Sequence, residues 1–424
     1  MRKMLPAALM AVAVMLIAAP ARSAEAPTAD DTARFLAGLP PASDSPLAAL
    51  TKDAFWQQHA HYFDSIFARE DSSTLSKVRA FSRERLTEKH DTMLYMFSGP
   101  DFLYATSFFP SASTYVLAGL EPVGEIPQLS SLSHAALDGS LRNLQTSLGS
   151  LLSFSFFITR NMKTQLHEGP VSGTLPILYV FLARTGKTIH DVSFVSLDAE
   201  GNFLTADEPV APNAGKKATR HFASSAAQGV KIVFSDGNGP QQTLYYFSTN
   251  LADGSVERSG FLTFCSKLGP ADSFIKSASY LLHTGGFNKI RSFLLNHSAT
   301  ILQDDSGIPL AYFDPKKWRL QPFGRYVGPL SIFGSSYQAG MEELFRRATP
   351  IDFGIGYRWR RNESNLLLAQ RIGAVTSEIE LAPDLPKHPH KARKPVESEA
   401  TGSLGCRFAG IFPFCSGPQT KSSQ

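Results

Sequence analysis

The chain has 424 residues, 43% of them hydrophobic, with 41 Lys and Arg against 37 Asp and Glu. The apolar content is ample for a buried core, and the length suggests two to three domains. The near balance of charge gives no basis for a nucleic-acid partner.

Residues 1–24 read as a secretory signal peptide. Arg2 and Lys3 precede an apolar run over residues 4–19, and small residues follow at Ala21, Ser23, Ala24 and Ala26. Removing residues 1–24 takes away Arg2, Lys3 and Arg22, leaving 38 of the 41 basic residues against 37 acidic ones. The run is too short for a membrane span, and no later stretch reaches the ~18 uninterrupted apolar residues a spanning helix requires. The expectation is an exported protein, periplasmic or extracellular, with no transmembrane span in the mature chain.

Residues 25–45, rich in Ala, Pro, Asp and Ser, read as a loose leader. From residue 46, Leu47, Leu50, Phe55, His59, Phe63, Ile66 and Phe67 recur at helical steps, as one amphipathic helix or a broken pair. A second helix is expected over 75–86, with Ser72 or Ser73 as its N-cap. Thr92 to Phe97 is strand-like, Phe102 to Phe109 helical, and Thr114 to Leu120 strand-like again, the pattern of a βαβ unit. Residues 133–165 form a long helical stretch, and the alternating run 189–197 reads as an edge strand. Residues 205–220 read as a linker between an N-terminal half, 46–204, and a C-terminal half, 221–382.

In the second half, 230–234 and 243–247 flank Asp236-Gly-Asn-Gly239 as a hairpin. Apolar helical stretches are expected at 259–268, 271–283 and 290–295. Residues 318–329 read as an aromatic loop, 335–347 as a helix and 352–359 as a final strand. The tail 383–424 is basic at 387–394, reads as disordered, and holds Cys406 and Cys415, spaced for a local disulfide in an oxidising compartment. Cys265, in an apolar run, is expected to be a buried free thiol.

The fold class is therefore α/β, or α+β, with a mixed sheet, helices on its faces and two halves that share a weak order of motifs. Glu121-Pro-Val-Gly124 in one half corresponds to Asp304-Asp305-Ser306-Gly307 in the other, and Asp101 to Asp272 at the starts of helices. Ligands of open α/β sheets bind beyond the carboxyl ends of strands, which would bring these acids to one crevice.

Asp304 and Asp305 are candidate catalytic carboxylates, since adjacent like charges raise one pKa, with His283 as their partner. The competing reading is an Asx-type turn closing a strand, with Gly307 at a special backbone angle. Lys276, Tyr280 and His283 would share one helical face, His283 as a cation at the helix C-terminus. Glu121, Lys276, Tyr280 and Ser306 are the candidate ligand-binding residues. Gly354-Ile-Gly356-Tyr-Arg-Trp-Arg-Arg361 mixes basic and aromatic residues as a weaker candidate for an anionic partner. Walker, dinucleotide and nucleophile-elbow motifs are missing, no metal site is assigned, and no cofactor follows. Two functions remain. One is a ligand-binding or envelope-associated protein whose small-molecule or envelope partner the sequence does not identify. The other is a hydrolase, metal-assisted or not, built on Asp304, Asp305 and His283.

Overall fold

The structure is a computed structural model that describes residues 26–154, 169–204, 227–373, 375, 406–408 and 413–415. A nine-stranded mixed sheet, with helices on both faces, organises the fold. Its strands are β1 (Thr92–Tyr95), β2 (Thr114–Gly119), β3 (Lys187–Ser196), β4 (Gln228–Asp236), β5 (Gln241–Ser248), β6 (Ala271–Ile275), β7 (Ser298–Gln303), β8 (Trp318–Gly324) and β9 (Asn365–Arg371). The order across the sheet is β3-β4-β5-β2-β1-β6-β7-β9-β8. The five central strands, β5-β2-β1-β6-β7, are parallel, and antiparallel pairs flank them on both sides. Pro322, which cannot donate to a ladder, lies in edge strand β8.

The central strands are buried on both faces, and β1, β6 and β7 are buried at every position. Alternate side chains point to opposite cores. Met93, Tyr95, Tyr115, Leu117 and Phe274 enter one core with the helices Ala29–Leu36, Ala54–Glu70, Ser76–Arg85, Phe102–Phe108, His134–Phe154 and Leu175–Arg184. Leu94, Met96, Val116, Ala118 and Ile275 enter the other with Phe261–Lys267, Asn288–His297 and Ala339–Phe345. The segments before and after residues 205–220 thus contribute interleaved strands to one sheet. Residues 205–220 themselves lie outside the described residues.

The βαβ unit, the β4–β5 hairpin, edge strand β3 and the helix within 290–295 stand as expected. Five local readings are corrected. Residues 29–36 form a helix with a Thr28–Asp31 capping box, and Phe35 and Leu36 are fully buried. Neither Ser72 nor Ser73 caps a helix, because a π-helical turn, Asp71–Leu75, joins Ala54–Glu70 to Ser76–Arg85. Residues 271–283 are not a helix: Ala271–Ile275 is a central strand, buried at every position. Residues 318–324 are strand β8 and not an aromatic loop. Residues 352–359 carry an isolated Ile355–Arg358 bridge in a loop, and the last strand of the large sheet is β9.

Candidate functional site

Because β1, β6 and β7 run parallel, their carboxyl ends open on one side of the sheet. The chain steps from β1 to β2 and β5 in one direction, then returns to add β6 and β7 in the other. The junction of β1 and β6 is therefore the topological switch point, where doubly wound sheets hold ligands.

Lys276 follows β6 directly, and its Nζ lies 2.5 Å from Oδ2 of Asp101, beyond the end of β1. Both side chains are buried, and Nζ sits 3.8 Å above the ring of Tyr104. Asp101 also accepts hydrogen bonds from the Tyr95 hydroxyl at 2.9 Å and the Tyr104 N–H at 3.2 Å, the latter capping helix Phe102–Phe108. The Tyr104 hydroxyl donates onward to Glu70 at 2.8 Å. Burial pushes Lys276 down against the pull of Asp101, and pushes Glu70 up against its bond from Tyr104.

At the end of β7, Asp304 Oδ2 accepts the Ser277 N–H at 2.8 Å, while Oδ1 accepts from Ser306 N–H at 2.9 Å and Oγ at 2.6 Å. The carboxylate closes its own turn and ties it to the end of β6. Gln303 staples the same turn, donating to the Ile308 carbonyl at 2.8 Å and accepting its N–H at 2.9 Å. Gly307 is needed for space and not for a special backbone angle: a Cβ there would lie 2.5 Å from Gln303 Oε1. Burial first, then the charge of Asp305, lifts Asp304 to about 6.

Asp305 accepts Nε and Nη2 of Arg358 at 3.3 and 3.0 Å and the Tyr280 hydroxyl at 2.8 Å. Its N–H donates to the Asn365 side chain at 2.9 Å. Arg358 also donates to the Gly328 carbonyl, fastening the 327–333 loop to the site. Asp304 is 0% exposed and Asp305 1% exposed.

Lys276, Tyr280 and His283 share no helical face, because only Leu281–His283 is helical and it is a single 3-10 turn. They still come near Asp304 and Asp305, through an irregular loop. His283 is not a cation held by a helix terminus. Burial pushes it to about 4, its ring packs on Tyr280 at 5.1 Å, and its Nε2 is buried without a hydrogen-bond partner. Glu121, beyond β2, has its carboxylate against Gly99 past the end of β1 and takes the Tyr246 hydroxyl on its carbonyl at 2.8 Å and on Oε2 at 3.4 Å. Asp272 is on strand β6 and not at a helix start; it faces His90 at 2.9 Å. Its counterpart in the motif order, Asp101, starts a helix, so the two sit in elements of different kinds.

Backbone strain marks the same place. Among the described residues, four that are not glycine have positive φ: Phe97 (62°), Ser277 (54°), Ser279 (54°) and Tyr280 (56°). All lie just past the ends of β1 and β6, in a conformation that costs such residues about 1–2 kcal/mol each. Half-buried groups face each other over this backbone. Ser279 Oγ and Tyr357 Oη are 2.6 Å apart, and the Tyr357 N–H donates to Ser277 Oγ at 3.1 Å. Phe333 packs on Tyr280 at 4.9 Å and on Tyr357 at 6.1 Å, and Phe97 on Phe287 at 5.9 Å.

Sequence reasoning missed Ser277 and Ser279, Asp101 as the partner of Lys276 and Arg358 as the partner of Asp305; it had Tyr357 and Arg358 only within a weaker candidate stretch for an anionic partner. A lone lysine directly after Phe274-Ile275 and an arginine between Gly356 and Trp359 were the available signals. Among the described residues, no three His, Cys, Asp or Glu side chains come together so as to hold a metal ion. No helix there is long and apolar enough to cross a membrane. Cys265 is buried and free, and burial pushes its thiol up.

Fold and site together define a doubly wound α/β protein with a buried ionic cluster under a strained, aromatic-rimmed switch point. No family model matches the chain, and no curated protein or solved structure matches it either.

Proposed function

We propose that this chain is an exported binding protein that takes a small ligand at the β1–β6 switch point. The observation behind it is the coincidence of all four left-handed non-glycine residues with that one junction. Strain of this kind persists where surrounding structure enforces it, and it concentrates at ligand sites. The Asp304, Asp305, Lys276 and Arg358 cluster is the rigid floor. Ser277, Ser279, Tyr357, Phe333 and Phe97 are the contact groups. Hydroxyls beside aromatic faces suit a small ring-bearing ligand with polar substituents, such as a sugar, nucleoside or aromatic acid. Export rests on the N-terminal pattern of residues 1–24, which lies outside the described residues.

The hydrolase alternative has less support. Asp304 and Asp305 are buried and saturated by Ser277, Ser306, Tyr280 and Arg358, and His283 is held neutral away from solvent. A general base must reach the proton it removes.

A thermal-shift screen of sugars, nucleosides and aromatic acids tests the proposal. It expects compounds that stabilise the natural chain and lose their effect in a Ser279→Ala, Tyr357→Phe variant. A screen in which no compound distinguishes the two proteins overturns it.

A further inference from the structure

A surface beside the switch point has a composition that the ligand site does not use. Ten large hydrophobic residues are more than a third exposed among the described residues, and Val327, Ile332 and Trp359 are three of them, at 39, 39 and 41%. They sit on two loops that touch. Gly328, next to Val327, accepts from Arg358; Phe333, next to Ile332, packs on Tyr357 at 6.1 Å. Between them the segments 325–337 and 353–361 hold Arg325, Arg358, Arg360 and Arg361 and no acidic residue. Arg358 is spent on Asp305, which leaves three exposed arginines. Arg360 and Arg361 pair with Glu363 and Asp352 at 3.6 Å, exposed and weak, and Arg360 also lies over the Trp359 ring at 5.2 Å.

We propose that these two loops form a docking surface for an anionic lipid bilayer, with Val327, Ile332 and Trp359 entering the interface and Arg325, Arg360 and Arg361 meeting lipid headgroups. Exposed apolar side chains flanked by arginine, with an indole at the boundary, match the layered chemistry of a bilayer surface. The absence of acids from both segments favours an anionic surface over a neutral one. Each arginine near such a surface strengthens binding about fivefold. The loops are pinned to the buried cluster through Arg358, so the surface is preformed. The proposal holds whether or not a small ligand occupies the switch point.

The test is sedimentation of the full mature chain with vesicles of phosphatidylcholine containing phosphatidylglycerol, against pure phosphatidylcholine. The expected result is binding to the anionic vesicles alone. Binding falls at least tenfold in an Ile332→Ser, Trp359→Ser variant, and at least tenfold in an Arg360→Glu, Arg361→Glu variant. Circular dichroism and melting temperature confirm that both variants fold. No binding of the natural chain, equal binding to both vesicle types, or binding unchanged in both variants overturns the proposal. The same holds if light scattering shows the natural chain self-associating through Ile332 and Trp359, which would make the surface a protein interface.

Discussion

Arg358 and Asp305 meet out of water, Nε and Nη2 of the guanidinium reaching the carboxylate at 3.3 and 3.0 Å. The pair joins a loop near the end of the described chain to the end of β7 and holds Tyr280 by its hydroxyl. Removing one partner of a buried pair strands the other charge, at a cost of about 3–5 kcal/mol. Arg358→Met should therefore destabilise the protein by about that much in urea unfolding. An Asp305→Asn, Arg358→Met double variant should recover part of the loss, since no buried charge remains. A double variant less stable than Arg358→Met would show that the pair is not the relevant unit.

Stability should depend on pH through groups of opposite sign. His59, bonded through Nε2 to the Leu36 carbonyl at 2.8 Å, is pushed by burial to about 4, as is His283. Their folded values lie below the ordinary 6.5, so the unfolded chain binds more protons between about 4 and 6.5. Their contribution is complete above that window and is lost as pH falls through it, up to about 3 kcal/mol for His59 at the full shift. Asp304, raised to about 6, works the other way: the folded chain holds the extra proton, and stability is lost as pH rises from the ordinary carboxyl value to about 6. Urea unfolding at pH 7 and pH 5 should show a smaller acid loss in His59→Gln and a larger one in Asp304→Asn. Identical slopes in all three proteins would refute these assignments.

Gly356 has φ of 58°, and a Cβ on it would lie 2.2 Å from Ser277 Oγ and 3.0 Å from Asp304 Oδ2. Gly356→Ala combines left-handed strain of about 1–2 kcal/mol with that clash and should lower stability by about 2 kcal/mol or more. Adding Ser277→Gly removes the hydroxyl and relaxes a second left-handed position, so the pair of changes should be more stable than Gly356→Ala alone. A melting series over the four proteins checks this.

Cys406 and Cys415 are paired in register across a short antiparallel ladder, Cys406–Phe408 with Pro413–Cys415. A disulfide there requires an oxidising compartment. Thiol titration of the unfolded protein, produced in an oxidising compartment, should find one free thiol, Cys265. Three would exclude both the bridge and its support for export.

The sequence made the α/β class and the first βαβ unit legible, because their apolar runs are long and their breaks, at Gly99-Pro100 and Pro110, are unambiguous. Strand β6 was misread because five buried residues carry no period that separates strand from helix. Residues 352–359 alternate like a strand, yet Gly354 and Gly356 let the loop fold over Ser277 and Asp304 instead. The Asp304–Asp305 turn was visible as a polar cluster after a strand. Its distant partners were not, since Arg358 and Asn365 reach it from positions far along the chain and only tertiary packing brings them there. The left-handed serines had no signal at all, because Gly or Asn is the usual sign of positive φ.

The most direct measurement is the thermal-shift response of the natural chain beside that of the Ser279→Ala, Tyr357→Phe variant across sugars, nucleosides and aromatic acids. Stabilisation by at least one class, lost in the variant while its unliganded melting temperature stays near that of the natural chain, is the predicted result. The same response from both proteins, or none from either, contradicts a ligand site at the β1–β6 junction.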